Sequence, residues 1–519
     1  MLSVLDAQLY ALADPDHYER PERLPDTASR FAPDAAAPPA GWARSRAGLW
    51  TQLTPEGARL PEQGWKVHVS AVPADAAGTL ERAARIAVEH GVPFKFLRSG
   101  RALNLANGKY ANRGTSGKFI TLYPYGEPEL TALLGALVPA LDGRRGPLIL
   151  SDLRIGAGPV HVRYGGFVEL RCAAPDGRRV PALRTPDGEL VPDVRGPAFR
   201  VPEWVTPPPV LAPHLAARAA VGALGLPYEI LRPLHFTNAG GTYLARHRGT
   251  GERVVLREAR PHSGLDGAGS DAVARLDNEF AALTRLAGLD CVPRVVGRER
   301  SWEHEYLIEE YVEGRTLFVE CLHRSPLVLR APSRAELTAY REWVDLIVGR
   351  LGRALDALHA RGVAFGDLHP GNVIVGAGDT VTLIDFEYAG GAGHPRAGAP
   401  GFTAPAGTDR FAADRYALRR IRLMLLVPLI ELLDADPGKE EMFATLARTY
   451  YDGTATAPHD AGFDHWPALR DALAAGILRA ATPERDDRLF PAGPEVFDGQ
   501  AAALAHGAAG TLLALHHAG

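Results

Sequence analysis

Two short motifs in fixed order constrain this chain more than any other feature. Phe365-Gly366-Asp367-Leu368-His369-Pro370-Gly371-Asn372 runs into apolar Val373-Ile374-Val375, and Leu383-Ile384-Asp385-Phe386-Glu387 follows. An ordinary helix-to-hairpin turn would account for either motif alone, but not for both in this order and spacing. The chain has 519 residues, 46% hydrophobic and 23% charged, enough for two or three domains with substantial cores. Proline marks the divisions. Residues 201–213 contain Pro207-Pro208-Pro209 and read as an extended, semi-rigid linker, while residues 33–39 lie in an Ala/Pro-rich N-terminal stretch. The boundaries that follow are an N-terminal extension over 1–60 packing on a first domain over 61–205, a linker over 206–224, and a second domain over 225–519.

Beyond the linker, strand-like segments at 242–246 and 253–258 precede a helical pattern over 271–286, and another strand pair ends near Tyr311. The rest is mostly helical, over 334–359 and again over 414–433. A small sheet-rich lobe followed by a helical lobe, with the two motifs in the second, resembles the protein-kinase superfamily. The resemblance implies a bilobal fold that uses ATP or GTP with magnesium. It implies Asp367 as the base for a hydroxyl proton and Asn372 and Asp385 as metal ligands. Gly240 and Gly241 would form the turn over the nucleotide phosphates, and Glu279 would partner the phosphate-pairing side chain. Three positions depart from the pattern: Arg257 stands where Lys is expected, Gly366 where Arg is usual, and Glu387 for the last glycine of the metal motif. Guanidinium still pairs with carboxylate and phosphate, with a different geometry. Pro400-Gly401-Phe402-Thr403-Ala404-Pro405 and Asp414-Arg415-Tyr416-Ala417 resemble the end of an activation segment and its anchoring helix, which favours a peptide substrate. The catalytic-loop motif is equally similar to that of small-metabolite phosphotransferases. Arg396 and Arg410 read as solvated charges.

Ahead of the linker, strand-like pieces at 65–72, 93–97, 118–123 and 160–170 alternate with helical pieces at 80–90 and 128–141, an α+β mixture. Arginine supplies nearly all the positive charge; the lysines are Lys66, Lys95, Lys109, Lys118 and Lys439. A lysine retained in such a chain points to a position that needs an ammonium able to lose its proton. Gly64-Trp65-Lys66-Val67-His68-Val69-Ser70, Pro93-Phe94-Lys95-Phe96-Leu97, Gly117-Lys118-Phe119-Ile120-Thr121, Ser151-Asp152-Leu153-Arg154 and Val162-Arg163-Tyr164-Gly165 together resemble the phosphothreonine-lyase-like domain of class III and class IV lanthionine synthetases. Eliminating phosphate needs a base for a weakly acidic α-proton, cations around the phosphate and an acid for the departing oxygen. The resemblance assigns Lys95 as base, His68 as acid, and Lys118, Arg154 and Arg163 as phosphate binders, with Arg113 a weaker candidate. Lys66 and Lys109 read as solvated edge and loop cations.

The fold class expected is therefore multidomain α+β: a phosphothreonine-lyase-like domain, then a bilobal protein-kinase-like fold. Together the two resemblances imply a dehydratase that phosphorylates Ser/Thr of a ribosomal precursor peptide, bound through its leader, and then eliminates the phosphate. Two alternatives remain: a small-metabolite kinase with an accessory domain, and a leader-binding pseudokinase fused to an active lyase. The family continues into a zinc cyclase domain; here Cys321 is the last cysteine, so dehydration without ring closure is expected, with a separate cyclase as candidate partner. Cys172, Cys291 and Cys321 lack metal-ligand spacing and suggest reduced thiols in the cytoplasm. A net charge of −4 argues against nucleic acid as a general partner, and the longest apolar run, 423–433, is too short to span a bilayer.

Overall fold

The computed structural model describes residues 10–518 apart from 12, 15–16, 175–176, 178, 195, 221–224, 327–331, 395 and 453–465. Alternation such as Trp65-Lys66-Val67-His68-Val69 produces strands with one apolar face. Strands β1 (Trp42–Ala47), β2 (Trp50–Pro55), β3 (Gln63–Val69), β4 (Phe94–Leu97), β5 (Ile120–Leu122), β6 (Leu153–Arg154) and β7 (Val160–Gly166) form one sheet in the order β1-β2-β4-β5-β3-β7-β6. Every neighbouring pair is antiparallel. Val67, Val69, Phe94, Phe96, Ile120, Leu122 and Val162 enter a single core with residues of helices α1 (Ala76–Glu89), α2 (Gly100–Asn107) and α3 (Glu127–Ala140). The opposite face carries the polar residues of the same strands.

Two expected boundaries change. The extension over 1–60 does not end outside the first domain, because Gly48, at φ 56°, turns β1 back on β2 and β2 pairs with β4. The expected cut at residue 60 thus falls inside one sheet. Two buried carboxylates pin this region. Asp26 accepts from Arg98 at 2.7 Å and Ser99 at 2.7 Å, and Asp34 accepts from Arg46 at 2.8 Å. The proline-rich stretch is not extended throughout either: Pro209–Leu211 form a turn that runs into α4 (Ala212–Ala220), with Leu211 fully buried in the first core. Proline is compatible with the first turn of a helix, so three consecutive prolines do not forbid one. Residues 221–224 of the expected linker lie outside the described residues. A small sheet of β8 (Arg171–Ala173), β9 (Arg179–Arg184) and β10 (Leu190–Pro192) flanks β7.

The second unit begins with β11 (Tyr228–Phe236), β12 (Gly241–His247), β13 (Arg253–Ala259), β14 (Val295–Ser301) and β15 (His304–Glu310), an antiparallel sheet in the order β11-β12-β13-β15-β14. Helix α5 (Ala272–Arg285) packs on it, capped by Asp271. A mostly helical part follows, built on α6 (Arg334–Ala360) and α7 (Arg410–Leu426), with a short sheet of β16 (Arg315–Thr316), β17 (Val373–Val375) and β18 (Val381–Leu383). The helix expected over 414–433 stops at Leu426, two residues before Pro428, whose ring disfavours helical geometry in the residue ahead of it. Among the described residues, no helix is long and apolar enough to cross a membrane.

Candidate functional site

Cross-strand partners in a sheet share a face. In the first unit the register sets Gln52 opposite Lys95, Lys95 opposite Thr121, Thr121 opposite His68, His68 opposite His161, and His161 opposite Arg154. Lys95 and His68 thus lie on one face, one strand apart on either side of Thr121, their backbones separated by about 10 Å. Lys95 Nζ sits 4.6 Å from the centre of the Trp50 ring.

His68 is buried, and its Nδ1 lies 2.5 Å from Asp152 Oδ2. Lys118 Nζ approaches the other oxygen of Asp152 at 3.7 Å, and Ser151 Oγ donates to it at 2.6 Å. Burial pushes the Asp152 carboxyl up, but the facing His68, Lys118 and the hydrogen bonds outweigh it and hold the group well below the usual carboxylate range. Burial takes His68 down to about 3 despite Asp152, and His161 down to about 4. Both imidazoles are therefore neutral at physiological pH. Asp152 fixes the His68 tautomer, with Nδ1–H donated to the carboxylate.

Arg154 and Arg163 are each engaged by a carboxylate other than Asp152. Arg154 pairs with Glu303 of the second unit, and Arg163 pairs with Asp193 just beyond β10. Each finds an anionic partner from a segment remote in sequence. Asp152 and His161 are the residues that sequence reasoning passed over. His161 shares strand parity with Arg163, and Asp152 lies inside a motif already singled out, so parity and adjacency were the signals available.

The second unit gathers its candidates more tightly. Arg257 on β13 pairs through Nε with Glu279 at 3.0 Å and donates from Nη2 to Asp385 at 2.6 Å. Glu279 also accepts the Phe386 N–H at 2.8 Å, so α5, β13 and the segment carrying Asp385 are tied at one point. Asn372 Nδ2 donates to the Asp367 carbonyl at 3.0 Å. Asp414 receives the N–H groups of Phe365 at 2.7 Å and Gly366 at 2.9 Å and contacts His359 at 2.8 Å, which anchors the loop from α7. Gly366, at φ 81°, could not carry a side chain there: a Cβ would meet Arg410 and the Tyr388 carbonyl at 2.5 Å. Asp385 itself holds φ 71°, an uncommon conformation that marks functional sites more often than scaffolds. Arg410 is buried rather than solvated, donating to the carbonyls of His394 and Tyr388 at 2.6 Å each. Arg396 donates to those of Ala404 and Pro405 at 2.9 Å each.

Burial, then the neighbouring Asp385, pushes Asp367 up to about 7, opposed by Lys109. Burial would raise Asp385 too, but Arg257 and Lys109 hold it low. The Asp385 carboxylate and the Asn372 amide oxygen are hard donors that fit magnesium, and Asp367, an acid pushed up by its neighbours, fits a place that takes added positive charge. Gly240 lies where a Cβ would overlap the Glu258 carbonyl, so the turn there demands glycine. Gly241 N–H, however, is bonded to Glu258 Oε2 at 2.9 Å, and Tyr243 Oη donates to the same oxygen at 2.8 Å.

Lys109 and Arg113, on the loop after α2, do not stay in the first unit. Lys109 pairs with Glu387, and Arg113 lies 3.7 Å from Glu258 with its guanidinium over the Phe236 ring. Arg260, 1% exposed, donates from Nη1 to the Asn238 carbonyl at 3.0 Å and from Nη2 to the Leu148 carbonyl at 2.8 Å, joining the units through their interiors.

Residues 30–221 match the family model described as RamC, N-terminal domain. That match holds the whole polar face with Lys95, His68, Lys118 and Asp152, and it also crosses the expected cut at residue 60. The chain is 42% identical over 98% of its length to a probable SapB synthase of Streptomyces coelicolor, and it spans 62% of that protein. It is also similar to the probable serine/threonine-protein kinase PknB of Lactococcus lactis, 28% identical over 31% of this chain and 23% of that one. A third relative is the serine/threonine-protein kinase PknD of Mycobacterium tuberculosis, 29% identical over 34% of this chain and 24% of that one.

Proposed function

We propose that this chain dehydrates Ser and Thr residues of a ribosomal precursor peptide in two steps: phosphorylation in the second unit and elimination of phosphate in the RamC-like first unit. What carries the reading is the pairing of two unlike sites in one chain. One sheet face holds Lys95 together with the His68–Asp152–Lys118 cluster, and one cleft holds Asp367, Asn372 and Asp385. The similarity to a SapB synthase is consistent with a peptide-modifying enzyme of the lanthionine-synthetase type.

In the first step Asp367 accepts the proton of the Ser/Thr hydroxyl as its oxygen bonds to the terminal phosphorus of ATP or GTP and the nucleoside diphosphate departs. Asn372 and Asp385 would hold magnesium, which neutralises phosphate charge when bound. Arg257 orders the cleft by spanning Glu279 and Asp385. In the second step the neutral amine of Lys95 takes the α-proton, the Cα–Cβ double bond forms, and the Cβ–O bond breaks. Lys118 neutralises the phosphate. A phosphate dianion beside His68 favours the imidazolium over the resting neutral ring, so the acid that protonates the leaving oxygen is charged by substrate binding. The products are dehydroalanine or dehydrobutyrine and inorganic phosphate.

The test is intact mass of a precursor peptide incubated with nucleotide and magnesium. Wild type is expected to remove water, and Lys95→Ala to accumulate phosphopeptide. A Lys95→Ala enzyme that still dehydrates would refute the assignment of the base. One observation favours a second reading, a leader-binding kinase-like unit beside an active lyase: Arg257 already occupies Asp385 at 2.6 Å. Elimination from a synthetic phosphopeptide with no phosphorylation of any precursor would select it.

A further inference from the structure

Lys109 lies in the first unit, yet its ammonium ends in the cleft of the second. Its backbone is fixed from both sides. Lys109 N–H donates to the Leu265 carbonyl at 2.9 Å, Leu265 N–H to the Asn107 carbonyl at 2.9 Å, and Asn238 N–H to the Lys109 carbonyl at 2.9 Å. The Asn238 amide adds bonds to the carbonyls of Asn107 at 3.1 Å and Gly108 at 3.0 Å. The Lys109 side chain, 23% exposed, then reaches Glu387, two residues beyond Asp385. The loop is a seam, and the seam aims a cation.

Other cations around this cleft are committed. Arg257 holds Glu279 and Asp385, and Arg275 holds Glu387 at 3.0 Å, the Ser270 carbonyl at 2.7 Å and the Gly264 carbonyl at 2.7 Å. His369 is biased neutral by burial. Lys109 differs in that its partner Glu387 is shared with Arg275, so Glu387 keeps a cation when the ammonium turns toward an arriving phosphate. Glu387 lies two residues beyond Asp385, so the ammonium stands beside the segment that carries that carboxylate.

We propose that Lys109 is a cation lent by the first unit to the phosphoryl group in transfer, so that the phosphorylation site is complete only while the two units are docked. The proposal rests on the phosphotransfer reading above. A charge brought from a neighbouring module onto a transferring phosphoryl group offsets negative charge that the resident residues leave exposed, and such fingers contribute factors of about 10³–10⁵ in rate. A flexible ammonium serves here where a fork would be held by two partners.

The experiment uses the full chain, Mg-ATP and the precursor peptide that wild type phosphorylates, with Lys109→Gln and Lys109→Arg as variants. Phosphorylation kcat, binding of a fluorescent nucleotide, and elimination from a synthetic phosphoserine peptide are read in parallel. Lys109→Gln is expected to lower phosphorylation by about 10³, the low end of that range, with nucleotide affinity and elimination retained, and Lys109→Arg to recover part of the loss. Phosphorylation by Lys109→Gln within about threefold of wild type overturns the proposal. So does a parallel fall in phosphorylation and elimination, which would make the contact a docking bridge only. Wild type that phosphorylates nothing removes the phosphotransfer reading itself and this proposal with it, an outcome separate from an active wild type with an active variant.

Discussion

Asp152→Asn is the substitution that probes the elimination chemistry most directly. The carboxylate is fully buried, 2.5 Å from His68 Nδ1 and 3.7 Å from Lys118 Nζ. Asparagine keeps the shape but loses the charge, and its amide can face Nδ1 as a donor, which moves the ring proton to the other nitrogen. An ion pair at about 4 Å in a partly screened site is worth about 4 kcal/mol. If the imidazolium forms only as substrate arrives, that loss falls on the step that needs it, equivalent to a rate decrease of about 10³-fold. The assay is elimination from a synthetic phosphoserine peptide followed by intact mass, with phosphorylation of the unmodified peptide as internal control. Elimination within threefold of wild type, in a variant that retains phosphorylation, would refute the argument that Asp152 supports His68 as acid.

Three further outcomes are expected. His161 is held down near 4 by burial, so the unfolded chain binds its proton first as pH falls; stability is full above the unfolded value of about 6.5 and is lost below it, by about 1 kcal/mol at pH 5.5. Denaturant unfolding of His161→Gln at pH 7.5 and 5.5 should lose less stability over that interval than wild type by about that amount, and an equal loss would contradict the buried neutral ring. Arg257→Lys replaces a fork that reaches Glu279 and Asp385 through two nitrogens with a single ammonium, so phosphorylation should fall about tenfold while elimination is unchanged; equal rates would deny the fork a role. Arg260→Met strands the buried Asn238 carbonyl and removes the bond to the part-buried Leu148 carbonyl, and should cost about 2 kcal/mol by denaturant unfolding, a change under about 0.5 kcal/mol arguing against the seam as a source of stability.

Much of the architecture could be read from local pattern. The strands at 63–69, 94–97 and 160–166 alternate clearly, and the helices at 76–89 and 127–140 lie close to where apolar spacing puts them. The β1–β2 hairpin was not visible, because Trp42-Ala43-Arg44-Ser45-Arg46 offers no alternating apolar face of its own and joins the sheet through β2, which pairs with β4. The partners of the charged residues were harder still. Lys109 and Glu387 are 278 positions apart and Arg154 and Glu303 are 149 apart, and no periodicity in a chain reports a contact of that kind. Residue type carried more than spacing did. A lysine kept among arginines singled out Lys95 and Lys118, whereas Lys109 read as a solvated loop cation and its reach to Glu387 was not foreseen.

The stitching of 107–109 to 238 and 265 also bears on how such chains can be recombined. A graft made at the proline-rich stretch would join the first unit of one relative to the second unit of another, although the two meet through paired backbone groups and a guanidinium sunk into both. The backbone bonds are indifferent to side chains and would re-form, whereas Arg260, Lys109 and Glu303 must each find its opposite number. A working hybrid therefore has to exchange 107–113, 148–154, 238–265 and 303 as one set, wherever the covalent junction is placed.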